Sequence, residues 1–174
     1  MNQEQTTRDL SWLKEFENHY IGPYTKERNG ILTCSEKGKI FSLNILAEDI
    51  SMFKIKLDKG YFSEQSTHKK CDYMAVDEIK NITIFIELKG KELDCAYQQI
   101  LTTVDELQKK GLIFKKKYCS AITSKRKHVI SNSASVKALM KQISNKGITI
   151  LNTTNIISKY NLIKENTQYT IKQI

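Results

Sequence analysis

The feature that most constrains this chain lies between Cys71 and Leu107. Two apolar runs, "CDYMAVD" and "ITIFIELK", are separated only by the polar "EIKN", and a helix-patterned segment follows almost at once. Runs this short, apolar and rich in β-branched residues predict strands, and the short polar loop makes them a hairpin. From Glu92 to Lys110, apolar residues fall at Leu93, Ala96, Tyr97, Ile100, Leu101, Val104 and Leu107. That spacing predicts an amphipathic helix, closed by Lys109, Lys110 and then Gly111.

The flanking sequence extends the pattern. "TTRDLSWLKEFENHY" reads as a helix with Leu10, Leu13, Phe16 and Tyr20 on one face, stopped by Gly22-Pro23. "GILTCSEKGKIFSLNI" predicts a hairpin turning at Glu36 to Lys39, with Gly38 in the turn, and "MFKIKLD" a strand. "KYCSAIT" and "ITIL" are further strands. They flank a helix over "SASVKALMKQIS" with Val136, Leu139, Met140 and Ile143 inward, capped by Ser133 or Ser135 and ending near Gly147. The tail from Asn152 is ambiguous, although "TQYTIKQI" suits an edge strand. The expectation is one α/β domain over residues 1–174, a mixed central sheet flanked by helices on both faces.

Composition narrows the class. No apolar run approaches the roughly 20 residues that span a bilayer, and "MNQEQTTRDL" has neither the basic nor the apolar region of a signal peptide. Cys34, Cys71, Cys95 and Cys119 form no C-x-x-C pair, which argues against structural zinc. Free thiols in strand-like runs fit a reducing compartment, so a cytoplasmic location is expected. The net charge of +9 suits a polyanionic partner. Nearly all the cations are lysines, however, so an AT-rich coding bias explains it equally well.

The chemistry centres on "ELK". An acid two residues before a lysine arises about three times by chance in a chain of this composition, so position decides its meaning. It occurs at Glu78-Ile79-Lys80, in the polar loop, and at Glu87-Leu88-Lys89, at the end of the apolar strand. If residues 78–81 form a four-residue loop, Asp77 faces Ile82, and the same register sets Asp72 opposite Glu87. Opposed side chains have Cβ atoms about 4.5–5.5 Å apart. Two carboxylates ~5 Å apart repel by roughly 3 kcal/mol at an effective dielectric of 20. Lys89, on the same face by alternation, offsets part of that repulsion, and a shared divalent ion would offset more.

These segments, from about Met52 to Leu151, resemble the PD-(D/E)XK nuclease superfamily, whose restriction-endonuclease-like core has the order αβββαβ. The resemblance rests on "KKCDYMAVD", "IFIELKG" and the helix "CAYQQI", with Cys71 where the motif has proline. It implies a metal-dependent nuclease, with Asp72, Glu87 and the Leu88 carbonyl holding Mg²⁺, or Mn²⁺ in its place. Lys89 would position the attacking water and stabilise charge on the phosphate. The activity implied is that of a DNA endonuclease, with a resolvase-like or RNA-directed nuclease as the alternative, and cutting both strands would suit a homodimer. Some relatives add an acid from the first helix or a polar residue from the helix after the motif, which makes Glu15, Glu64, Gln98 and Gln99 candidates. A non-catalytic nucleic-acid-binding module, with Asp72, Glu87 and Lys89 as a strand-end ion cluster, stays open beside the enzyme.

Two basic clusters bracket the next strand: Lys115, Lys116 and Lys117 before it, and Lys125, Arg126 and Lys127 after it. Both are candidate contacts for a nucleic-acid backbone, since lysines on phosphates give affinity rather than sequence preference. Solvated surface is the alternative. Lys137 and Lys141 share the next helix face. His68 and His128 have no evident partner in the sequence and read as surface residues.

Overall fold

A computed structural model describes residues 10–28, 30–62, 69–79, 81–90, 92–123, 133–151 and 156–174, apart from the side chains of residues 89 and 90. A 3-10 helix, Ser11–Phe16, leads into β1 (Tyr20–Tyr24), β2 (Ile31–Glu36), β3 (Lys39–Ile45) and β4 (Met52–Lys56). Next come β5 (Tyr73–Asp77), β6 (Ile82–Gly90), α1 (Leu93–Lys109), β7 (Lys116–Thr123), α2 (Ala134–Asn145) and β8 (Ile148–Ile150). The chain closes with β9 (Ile157–Glu165) and β10 (Gln168–Gln173).

The strands form two mixed sheets, in the orders β1-β4-β5-β6-β7-β8 and β10-β9-β3-β2. In the first, β4, β5 and β6 are an antiparallel meander, and β6, β7 and β8 run parallel. Parallel neighbours need a crossover, and α1 supplies it between β6 and β7. Its predicted apolar positions, from Leu93 to Leu107, are all buried. They pack with Met74, Val76, Phe85, Cys119 and Ala121 of the sheet, beside Leu13 and Phe16 and the α2 residues Val136 and Ile143.

The opposite face of the sheet corrects the expected layering. Ala75, Ile82, Ile84, Ile86, Leu88 and Ile122 pack there against Leu32, Cys34, Phe41, Leu43, Tyr160 and Leu162 of the second sheet. Among the described residues the helices therefore cover one face, and a sheet covers the other. Burial of β6 from Ile82 to Leu88 requires a cover on both sides but does not specify what provides it.

The N-terminal reading is also corrected. The described helix is a single 3-10 element that buries Leu13 and Phe16, three residues apart, as that geometry allows. Tyr20 opens a strand, and Gly22-Pro23 lies within edge strand β1, where a residue that cannot donate is tolerated. A Cβ on Gly22 would stand 2.9 Å from the Met52 carbonyl oxygen. The hairpin of β2 and β3 turns at Lys37-Gly38, both with positive φ, as a two-residue turn requires. The Ser133 hydroxyl caps α2 by accepting from the Val136 amide, whereas Met140 is exposed.

The meander has the expected register. Tyr73 pairs with Ile86, Met74 with Phe85, Ala75 with Ile84 and Val76 with Thr83. Asp77 fixes it, because its Oδ1 accepts from the Ile82 amide at 2.6 Å across the loop. Burial nevertheless raises the pKa of Asp77, and bonds from the Ile82, Asn81 and Ile79 amides oppose that shift only in part. A carboxyl titrating higher in the folded chain than in the unfolded one contributes stability at low pH, and this is lost as pH rises through the folded value. A side-chain amide in place of this carboxyl would keep the acceptor without the charge. The melting temperature of Asp77→Asn, relative to wild type, should therefore rise between pH 3 and pH 7. A falling difference would contradict this account of the loop.

Candidate metal and catalytic site

One step beyond the paired residues, the β5–β6 register sets Asp72 opposite Glu87. The Leu88 amide donates to Asp72 Oδ2 at 2.8 Å, which keeps the two chains together at this point. Alternation gives both acids the helix-covered face, the face of Met74 and Phe85, while the Leu88 side chain enters the layer between the sheets. Asp72 is 2% exposed and Glu87 is 0% exposed.

Helix α1 completes the site. Gln99 satisfies both ends of its amide when the nitrogen faces Glu87 Oε2, at 3.2 Å, and the Lys70 carbonyl, at 3.1 Å. The Cys71 amide donates to Thr103 Oγ1 at 2.8 Å. Cys71 itself is fully buried; desolvation pushes its thiol pKa well up, and the charges of Glu87 and Asp72 add to the effect. Lys70 is buried too, with Nζ 5.3 Å from the centre of the Phe62 ring.

The sequence-derived candidates separate. Asp72, Glu87, Leu88 and Gln99 meet at one end of the sheet. Lys89 belongs to β6 through its backbone, and its side chain lies outside the described residues. The β6–β7 register shifts between Glu87 and Gly90, so "ELK" spans an irregularity in the strand. Gln98 is exposed on the other side of α1. Glu15 accepts from the Tyr61 hydroxyl and from Lys110, a surface cluster joining the 3-10 helix to the end of α1. Glu64, His68, Lys125, Arg126, Lys127 and His128 lie outside the described residues. Lys116 and Lys117 pair with Ile82 and Thr83 at the far end of β6. That places the Lys115–Lys117 cluster roughly 16 Å along the sheet from Glu87. Thr103 is a site residue that sequence reasoning does not find. Its one signal is a polar side chain among Ile100, Leu101, Val104 and Leu107.

The donor set fits a hard divalent cation. Two carboxylates, one just before β5 and one in β6, offer oxygen ligands of the kind Mg²⁺ prefers. Glu92, Asp94 and Cys95, in the first turn of α1, also bring ligand atoms within 4.8 Å of one another. That group mixes a thiol with carboxylates at the surface. Comparison with family models, with curated proteins and with solved structures finds no match for this chain. Among the described residues no helix is long and apolar enough to cross a membrane.

Like charges in this position burden the metal-free fold. Glu87→Gln removes one charge and keeps an acceptor for Gln99. Its melting temperature without metal should equal or exceed that of wild type. A loss above about 1 kcal/mol would identify Glu87 as a structural anion instead.

Proposed function

We propose that this chain is a metal-dependent nuclease that hydrolyses phosphodiester bonds, with DNA as the substrate and RNA as the alternative that the same chemistry allows. The observation that carries this reading is the placement of Asp72 against Glu87, directly before Leu88-Lys89, at the end of a buried strand. The run of β4, β5 and β6, then α1 and β7, accords with the core of the PD-(D/E)XK superfamily. The second sheet and the short 3-10 helix are departures from it.

In this reading Asp72, Glu87 and the Leu88 carbonyl hold Mg²⁺, for which Mn²⁺ substitutes. When bound, such an ion lowers the pKa of water and offsets phosphate charge. The Leu88 amide orients Asp72, and Gln99 orients Glu87. Lys89 supplies positive charge to the phosphate as it gains negative charge. The sequence runs from Thr123, which pairs with Gly90 at this end of the sheet, straight into Lys125–Lys127. Lys125, Arg126 and Lys127 are candidate phosphate contacts on sequence grounds. Lys115–Lys117 would meet the backbone about five nucleotides away, at 3.4 Å per nucleotide.

Burial favours a second reading. Asp72 and Glu87 are both buried, so a phosphodiester reaches the two carboxylates only after the groups covering them move. A non-catalytic module that keeps the acids as a buried hydrogen-bonded cluster needs no such opening.

Cleavage separates the two. Supercoiled plasmid incubated with the purified chain should be cut in Mg²⁺ or Mn²⁺ and not in EDTA. Asp72→Asn, Glu87→Gln and Lys89→Ala should each lower the rate by roughly 100-fold or more. Either ion should raise the melting temperature of wild type, since a ligand of the native state stabilises it by mass action. That rise should shrink in Asp72→Asn and Glu87→Gln and persist in Lys89→Ala. Absence of cleavage on DNA and RNA, with no metal-dependent rise, would leave the structural cluster as the explanation.

A further inference from the structure

Gln99 and Thr103 are four residues apart in α1, a spacing that puts both side chains on one face of a helix. Both reach the same peptide unit. Gln99 Nε2 bonds the Lys70 carbonyl at 3.1 Å, and the Cys71 amide donates to Thr103 Oγ1 at 2.8 Å. These are the two polar ends of one planar peptide, so α1 holds that plane from both sides. Cys71 alone separates this peptide from Asp72. Gln99 meets Glu87 as well, at 3.2 Å.

Thr103 joins the two halves. It is fully buried, and its Oγ1 also donates to the Gln99 carbonyl at 2.8 Å. A hydroxyl has one proton and two lone pairs, so it can donate and accept together. An apolar residue of the same shape would fill the space equally well. It would also strand the Cys71 amide without this acceptor.

We propose that Thr103 is a positioning residue for the carboxylate pair. Through the 70–71 peptide it fixes the backbone that carries Asp72. Through its bond to the Gln99 carbonyl it ties that peptide to the helical turn whose side chain meets Glu87. The inference rests on the reading of Asp72 and Glu87 as a divalent-metal site.

Binding of Mn²⁺ to the full chain, followed by the electron paramagnetic resonance of the free ion, tests it. Thr103→Val keeps the volume and removes both hydrogen bonds, whereas Thr103→Ser keeps the hydroxyl. Loss of an outer support of a metal ligand weakens affinity by roughly 10- to 100-fold, and the valine variant should fall in that range. The serine variant should stay within about threefold of wild type. A valine variant that is folded by near-ultraviolet circular dichroism and has wild-type affinity overturns the proposal, as does a serine variant as weak as the valine. If the valine variant does not fold, wild type carries the test. Coupling between sites is reciprocal, so saturating Mg²⁺ should slow hydrogen exchange of the Cys71 amide at least about threefold. Exchange indifferent to Mg²⁺ overturns the role. Wild-type protein that binds no Mn²⁺ removes the metal reading and the positioning role together, an outcome distinct from a folded valine variant that keeps its affinity.

Discussion

The hydrogen bond from the Ile82 amide to Asp77 Oδ1 is the constraint on which the rest of this structure depends. It closes the loop between β5 and β6 and so fixes which residue of one strand faces which residue of the other. A slip of one residue exchanges the two faces of a strand. Here a slip of β6 would turn Ile84, Ile86 and Leu88 toward α1 and drive Glu87 into the apolar layer between the sheets. Burying a charge there without partners is among the costliest errors a fold can make. The opposition of Asp72 and Glu87 follows from this loop.

The register alone would leave two acids in a repulsive position. The surroundings make that position tenable. The Leu88 amide donates to Asp72, and Gln99 donates to Glu87. Both donors are anchored, one in a central strand and one in a helix whose apolar face is buried along its length. Hydrogen bonds to a carboxylate favour its ionised form, and desolvation opposes it. A divalent ion would favour the charged pair. In the proposed reading, this is the physical link between a buried cluster of acids and hydrolysis.

Much of this was legible because its determinants are local. Four polar residues between two apolar runs imply the hairpin and its register, and the spacing from Leu93 to Leu107 implies α1. The second sheet was not legible as a sheet. Its centre is a parallel pair in which Leu43 meets Tyr160 and Ile45 meets Leu162, partners more than a hundred positions apart. The inward alternation of Ser158, Tyr160 and Leu162 is present in β9, but nothing local says what it pairs with. The N-terminal misreading has a different origin. Residues at Leu10, Leu13 and Phe16 recur every three positions, which suits a 3-10 turn as well as an α-helix, and Asn18 then takes a positive φ. Within the site, the opposition of Asp72 and Glu87 followed from counting. The grip of Gln99 and Thr103 on one peptide required the packing of α1 on the sheet.

The central claim is that Asp72 and Glu87 form a divalent-cation site. Anomalous diffraction from crystals of the wild-type chain grown with Mn²⁺ tests it most directly. The account predicts a peak between the two carboxylates, about 2.0–2.6 Å from an oxygen of each. A peak confined to Glu92, Asp94 and Cys95, or no bound ion with the two carboxylates unmoved, would contradict it.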